Sequence, residues 1–165
     1  MTLIFKKDGD MFQGGHDLLV CTTNCLGVMG KGIALEFKNR FPKFFEQYKE
    51  YCSTCNPKGG DCMVFRNKDT SSPNYFATIM TKEHWFNKSK LEWIELGLED
   101  LKDRVEVIND SPERLKITSI GLPAPGCNNG GLKWEDVKPL IDKHLKYVNS
   151  DIIVYEPREE NASNT

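Results

Sequence analysis

From Asp17 to Thr23 the chain reads DLLVCTT, an apolar run bounded by polar residues and about the length of a strand covered on both faces. Similar short runs recur: LIF near the start, DCMVFRN (61–67), NYFATIMT (74–81), LKITSIGLP (115–123) and SDIIVYEP (150–157). Each predicts a strand, and KDTSSPN (68–74) predicts the turn between the second and third of these runs. Between the strands the apolar period changes to that of a helix. Ile33, Ala34, Phe37 and Phe41 share one face, and Pro42 punctuates the end. KFFEQYKEYC (43–52) predicts a second short helix with Phe45, Tyr48 and Cys52 on one side. SKLE (89–92) reads as a capping box, followed by an apolar stripe of Leu91, Ile94, Leu98, Leu101 and Val105. LKWEDVKPLIDKHLKYV (132–148) predicts a last helix, with Pro139 expected near its first turn. Strands alternating with helices make an α/β layered domain with a largely parallel sheet, and ligands bind such sheets at the strand ends.

Two segments interrupt this pattern with glycine. NCLGVMGKGIALEF (24–37) places Gly27, Gly30 and Gly32 between a strand and a helix. SIGLPAPGCNNGGLKWEDV (119–137) repeats the arrangement with Gly126, Gly130 and Gly131, beside Asn128 and Asn129. Consecutive backbone N–H groups in such loops form an anion-binding concavity, to which a helix N-terminus adds the positive end of its dipole. Two loops at neighbouring strand ends can hold a diphosphate and its sugar from both sides, which points to a nucleotide-derived ligand. The order G-x-x-G-x-G differs from the dinucleotide G-x-G-x-x-G, and Lys31 is followed by Gly32 where a P-loop needs Ser or Thr.

The 165 residues suffice for one domain with a real core, and 39% hydrophobic and 28% charged content are ordinary for a soluble protein. A net charge of −2 argues against general binding along duplex nucleic acid and leaves a local basic patch open. No apolar stretch approaches membrane-spanning length, and MTLIFKKDGD does not read as a secretory signal. The expected setting is therefore the cytoplasm, with no membrane partner and six reduced cysteines. CSTC (52–55) with nearby Cys62 has zinc-like spacing but no fourth ligand, so no metal is expected. Cys21, Cys25 and Cys127 are expected in or beside the cleft as small buried groups rather than nucleophiles. Glu135 and Asp136 open a helix and complement its dipole.

TTNCLGVMGKGIALEFKNRFP, TKEHWFNKSKLEWIELGL and GLPAPGCNNGGLKWEDVKPLI together resemble the macro domain family. They look most like its branch of DNA ADP-ribosyl glycohydrolase antitoxins. The resemblance implies a three-layer α/β/α fold with a mixed, mostly parallel central sheet, in one domain over 1–157, followed by a flexible polar tail at 158–165. It implies a cleft for ADP-ribose, or an ADP-ribosylated substrate, and no cofactor. Asn24 would contact the distal ribose and take part in catalysis. Gly30, Lys31, Gly32 and Ile33 would line the first loop; Gly126, Cys127, Asn128, Asn129, Gly130 and Gly131 would line the second. Asp17 or a neighbour would touch the adenine. This chain departs from many relatives in having Asn128 after the cysteine of the second loop. It also has Gly130 where a glutamate-directed branch carries an aspartate, which argues against that branch's mechanism.

The resemblance also assigns catalysis to Lys82, the lysine of TK. A neutral amine there could attack the anomeric carbon, or an ammonium could stabilise charge on the leaving base; attack needs a lowered lysine pKa. Around it, His84, Trp85, Phe86, Lys88 and Lys90 interleave aromatic and basic residues, which suits single-stranded nucleic acid. His84 and Trp85 are the expected substrate contacts. The same aromatics could instead cover the core, leaving the lysines as a solvated edge. The expected activity is hydrolysis of ADP-ribose from a modified nucleic-acid base, a thymidine-type DNA adduct or a related substrate. The alternatives are an ADP-ribose 1″-phosphate phosphatase (Appr-1-p processing) and a non-catalytic reader of ADP-ribose. The further C-terminal region of an antitoxin that also blocks its transferase is not expected here. A monomer reversing the modification is therefore expected, in a host cytoplasm if the protein is viral.

Overall fold

A computed structural model of the chain describes residues 1–69 and 71–157; the tail expected at 158–165 lies outside the described residues. Its strands are β1 (Leu3–Lys6), β2 (Leu18–Asn24), β3 (Cys62–Arg66), β4 (Tyr75–Lys82), β5 (Ser119–Pro123) and β6 (Asp151–Tyr155). Its helices are α1 (Gly32–Arg40), α2 (Pro42–Cys55), α3 (Leu91–Asp110) and α4 (Trp134–Leu145). The sheet order is β1-β6-β5-β2-β4-β3. Neighbours are parallel except β3, which runs antiparallel to β4 as the far arm of a hairpin.

Strand residues point alternately to opposite faces, and each face has its own core. Leu18 and Val20 of β2 and Ala77 and Ile79 of β4 pack beneath α3 and α4, against Ile94, Leu98, Leu101, Val137 and Ile141. Leu19 and Cys21 of β2 and Phe76 and Met80 of β4 face α1 and α2, against Phe37, Phe44 and Tyr48. This second core is built of aromatics: the Phe44 and Phe76 rings stack with centroids 4.4 Å apart, and Phe37 sits edge-on to both. The result is the three-layer α/β/α arrangement.

Several sequence expectations shift. The capping box at Ser89 does not form: α3 begins at Leu91, Lys90 is its N-cap residue, and no side chain caps the helix. Ser89 turns inward instead, buried, where its N–H donates to the Gly130 carbonyl at 3.0 Å. On α2 the buried position is Phe44, with Phe45 only partly covered, because Phe44 is the residue facing Phe65 and Phe76. Pro139 sits in the second turn of α4, inside the helix rather than at its start. The run at 115–123 is a strand only from Ser119, since Leu115 is exposed and β5 has no partner before that point. Cys62, the third thiol near the zinc-like CSTC pair, lies on the opposite side of the sheet from Cys52.

Candidate active site: two glycine loops and a lysine

A cleft of about 950 Å³ opens where β2, β4, β5 and β6 end. Residues from the C-terminal ends of all four strands line it: Thr22 to Asn24, Thr81 and Lys82, Pro123, and Tyr155. The first glycine loop supplies Gly30 to Ala34 and the second supplies Gly126 to Gly130, so the sheet brings together segments a hundred residues apart.

The first loop is built around Asn24. Its side-chain N–H donates to the Val28 carbonyl (2.8 Å), and its Oδ1 accepts from the Leu26 N–H (3.0 Å). The buried Tyr48 hydroxyl donates to the Asn24 carbonyl at 2.8 Å and accepts from the Thr23 hydroxyl at 3.0 Å. Asn24 therefore lines the cleft while its amide is spent on shaping the loop. The chain then enters α1 through Lys31 in extended conformation, with no side-chain cap on the first N–H groups. Those donors are free to meet an anion.

Gly32 and Gly130 show why glycine is needed. Gly32 has φ +54°, and a Cβ there would lie 2.9 Å from Asn129 Nδ2 of the opposite loop. A Cβ on Gly130 would overlap the Gly126 carbonyl oxygen and Ser89 Oγ. One glycine lets the loops approach each other, and the other lets the second loop fold on itself.

Lys82 ends β4, opposite Asn24 across a register shift in the β2–β4 pairing. Its ammonium donates to the Asn129 carbonyl at 2.8 Å and reaches the Trp85 carbonyl at 3.5 Å. The lysine thus bridges the end of β4 to the second loop, at the side of the cleft that Trp85 also lines. Partial burial lowers its pKa below the ordinary lysine value, and the Lys31 cation lowers it further. Cys127 lines the cleft and Cys25 stands beside the first loop; burial pushes their thiols up, to about 11 and about 12. Both are neutral thiols, not nucleophiles.

Gly30, Lys31, Gly32, Ile33, Gly126, Cys127, Asn128, Asn129 and Gly130 all line the cleft with Lys82, Asn24 and Trp85. Gly131 and His84 do not; His84 is exposed and stacks on Phe86, ring centroids 5.3 Å apart. Asp17 is a correction. It precedes β2, at the end of the strand opposite the cleft, and its carboxylate accepts from the Thr118 N–H (2.8 Å) and hydroxyl (2.6 Å). The cleft's far side is formed by Gly9, Asp10, Met11, Tyr155, Glu156 and Pro157, which sequence reasoning missed. The end of the β6 run was the available signal, because every parallel strand delivers its C-terminal residues to the same edge.

A macro domain model matches residues 20–141, a span that includes both glycine loops and Lys82. The chain belongs to the macro domain family. The macro domain is 38% identical over 156 residues to a DNA ADP-ribosyl glycohydrolase of Mycobacterium tuberculosis, which covers 94% of this chain and 42% of that protein. The chain thus spans about two fifths of the length of that relative. The solved macrodomain of M. tuberculosis DarG superposes with a TM-score of 0.83 at 35% identity, covering 94% of this chain and 98% of the other. Thermosipho africanus DarTG, solved in complex with ADP-ribose, superposes at 0.82 with 29% identity, covering 93% of this chain and 41% of the other. An ADP-ribose 1″-phosphate phosphatase of Lodderomyces elongisporus is 27% identical over 82% of this chain and 88% of its own length. Gly131 and His84 lie outside the cleft, while the other expected loop residues and Lys82 line it.

Proposed function

We propose that this macro domain binds ADP-ribose and hydrolyses the N-glycosidic bond that joins it to a nucleic-acid base. The observation that carries the reading is Lys82, a cleft-lining residue at the end of β4 whose ammonium is held by the Asn129 carbonyl of the second glycine loop. Support comes from the relatives at 36–38% identity, which are DNA ADP-ribosyl glycohydrolases, and from the structural neighbour with ADP-ribose bound. The loop N–H groups and the uncapped start of α1 take the diphosphate. Asp10, Tyr155 and Glu156 take the adenosine side, and Lys82 faces the distal ribose.

In the reaction the bond between the anomeric carbon and the base nitrogen breaks, and its electron pair leaves with the base. Water supplies the oxygen to the anomeric carbon, and a water proton ends on the departed base. Lys82 donates to carbonyl oxygens, a role only a protonated or N–H-bearing amine fills, and the ammonium is the form that can stabilise the negative charge developing on the leaving base. That assignment has a pH signature. With the lysine pKa lowered, catalysis by the ammonium declines as pH rises through the lowered value; attack by a neutral amine would rise over the same alkaline window.

The deciding assay uses a single-stranded DNA oligonucleotide ADP-ribosylated on one base. Wild type releases ADP-ribose, and Lys82→Ala is slower by about a hundredfold or more, the usual loss on removing one stabilising donor. Equal release by both variants removes Lys82 from the mechanism. Absence of release by either, with ADP-ribose still bound, transfers the reading to the phosphatase or the reader. The phosphatase relative keeps that second reading specific. Turnover of ADP-ribose 1″-phosphate that survives Lys82→Ala decides for it.

A further inference from the structure

Between β4 and α3 the chain makes a turn whose aromatic residues are not used by the core. Trp85 is 55% exposed and Phe86 67% exposed. His84 stacks on Phe86 with ring planes 19° apart, and Trp85 meets Phe86 edge-on with centroids at 5.4 Å. The turn is closed by a hydrogen bond from the Asn87 N–H to the His84 carbonyl, 3.2 Å, and its Trp85 carbonyl is held by Lys82. Three rings thus form a continuous ridge on an ordered turn, starting at the cleft wall with Trp85 and running outward to Phe86 and His84. An exposed apolar ridge of this kind is a recognition surface more often than an accident.

Its electrostatic setting is one-sided. Lys88 lies alongside Gly131 of the second loop, its side-chain carbons 3.7–4.0 Å from where a Cβ would stand. Lys31 is close enough to Lys82 to depress its pKa. The one acid in the turn, Glu83, is directed away, accepting from the Gly59 N–H at 3.3 Å. Lys90 is engaged elsewhere, over the Trp93 ring at 4.7 Å. On a chain with net charge −2, the aromatic ridge therefore has the Lys82 ammonium at its Trp85 carbonyl and Lys88 two positions beyond Phe86. Rings beside ammonium groups match unstacked bases joined by phosphates, and match an acidic peptide less well, because a peptide gives the ridge nothing flat to stack on.

We propose that the 84–88 turn is a platform for the strand that carries the modified base: a neighbouring base stacks on Phe86, and the phosphate beside it meets Lys88. This rests on the hydrolase reading of the cleft. It predicts that the protein acts on an ADP-ribosylated base better within a single strand than as an isolated nucleoside, and better than within a duplex, where the neighbours are already stacked.

The test compares kcat/KM for an ADP-ribosylated nucleoside, the same base centred in a single-stranded oligonucleotide, and that oligonucleotide annealed to its complement. Phe86→Ala and Lys88→Gln are run beside wild type, with fluorescence anisotropy of an unmodified single strand as a second readout. The single strand is expected to be the best substrate. Phe86→Ala should lower its kcat/KM about tenfold, the scale of one base–aromatic stack, and leave the nucleoside unchanged. Lys88→Gln should reduce the salt dependence of strand binding by about one released ion. Equal turnover of nucleoside and single strand by wild type overturns the platform and leaves the hydrolase standing, as does a Phe86→Ala loss shared by both substrates. Turnover of an ADP-ribosylated peptide that is as sensitive to Phe86→Ala as the oligonucleotide assigns the ridge to protein and overturns the proposal. Should no substrate be cleaved, the hydrolase reading fails, and anisotropy judges the platform alone: strand binding lost in Phe86→Ala supports it, and binding unchanged sinks it.

Discussion

Gly130 and Ser89 form a pair in which a missing side chain and an unpaired one explain each other. The Ser89 hydroxyl is buried and has no hydrogen-bond partner among the described residues, an arrangement that costs stability. It fills the space that a residue larger than glycine at 130 would enter. Gly130→Ala should therefore cost about 1–3 kcal/mol by overpacking, and weaken ADP-ribose binding by displacing the loop. Ser89→Ala removes only the unpaired oxygen and keeps the N–H that holds the Gly130 carbonyl. It should melt at or above the wild-type temperature. Thermal unfolding and ADP-ribose titration of the two variants check both statements; a Ser89→Ala variant as damaged as Gly130→Ala would show that the hydroxyl has a partner after all. The same geometry bears on the aspartate that a glutamate-directed branch carries at this position. A carboxylate could not be grafted here without first rebuilding the loop.

At the scale of elements, the site depends on joints between secondary structures. Tyr48 of α2 reaches across to the end of β2, where its hydroxyl holds Thr23 and Asn24 together. Tyr48→Phe keeps the ring in the aromatic core but deletes this joint. It should lower stability by roughly 1–3 kcal/mol, and it should weaken ADP-ribose binding although residue 48 does not line the cleft. Calorimetry on the ligand-free and ADP-ribose-bound protein separates the two losses. This joint was not readable from sequence, where Tyr48 looked like any apolar position on a helix face. The strands and helices were readable, because short continuous apolar runs bounded by polar residues contrast with stripes at the helical period of 3.6. The two glycine loops were readable too, since glycines between a strand and a helix have few other uses, whereas Lys82 was singled out only by the family resemblance. Ser89 misled because a capping box is a local pattern, and a tertiary contact with the second loop overrode it. Asp17 misled because nothing in a linear sequence says which end of a strand faces the ligand until the parallel sheet is drawn. The adenosine side was missed for a related reason: Asp10 and Tyr155 are 145 positions apart and meet only when β6 is placed in the sheet.

The whole molecule is tied together through His16. This buried imidazole makes hydrogen bonds of 2.8 Å with the Ser119 hydroxyl of β5 and 2.7 Å with the Tyr155 hydroxyl of β6. Burial lowers its pKa below the ordinary histidine value; Asp17 opposes the shift and Lys6 adds to it. The unfolded chain therefore binds a proton at a higher pH than the folded one. Stability from this source is complete above the ordinary histidine pKa and is lost as pH falls through that value towards the lowered one. Melting temperatures measured from pH 7.5 down to 5 should decline, and the decline should be shallower in His16→Gln. Tyr155 lines the cleft, so the same acidification should loosen the adenosine side and weaken ADP-ribose binding.

The sheet order also carries a message about time. β6, the last strand, lies between β5 and β1, and β1 has no other neighbour in the sheet. As the chain is synthesised, its first strand must wait, unpaired, until nearly the whole domain has emerged. The β2–β4–β3 unit at the other end of the sheet can assemble early, while β1 and β6 dock last and together. Their amides should then exchange with solvent as one cooperative unit, ahead of those in β2 and β4.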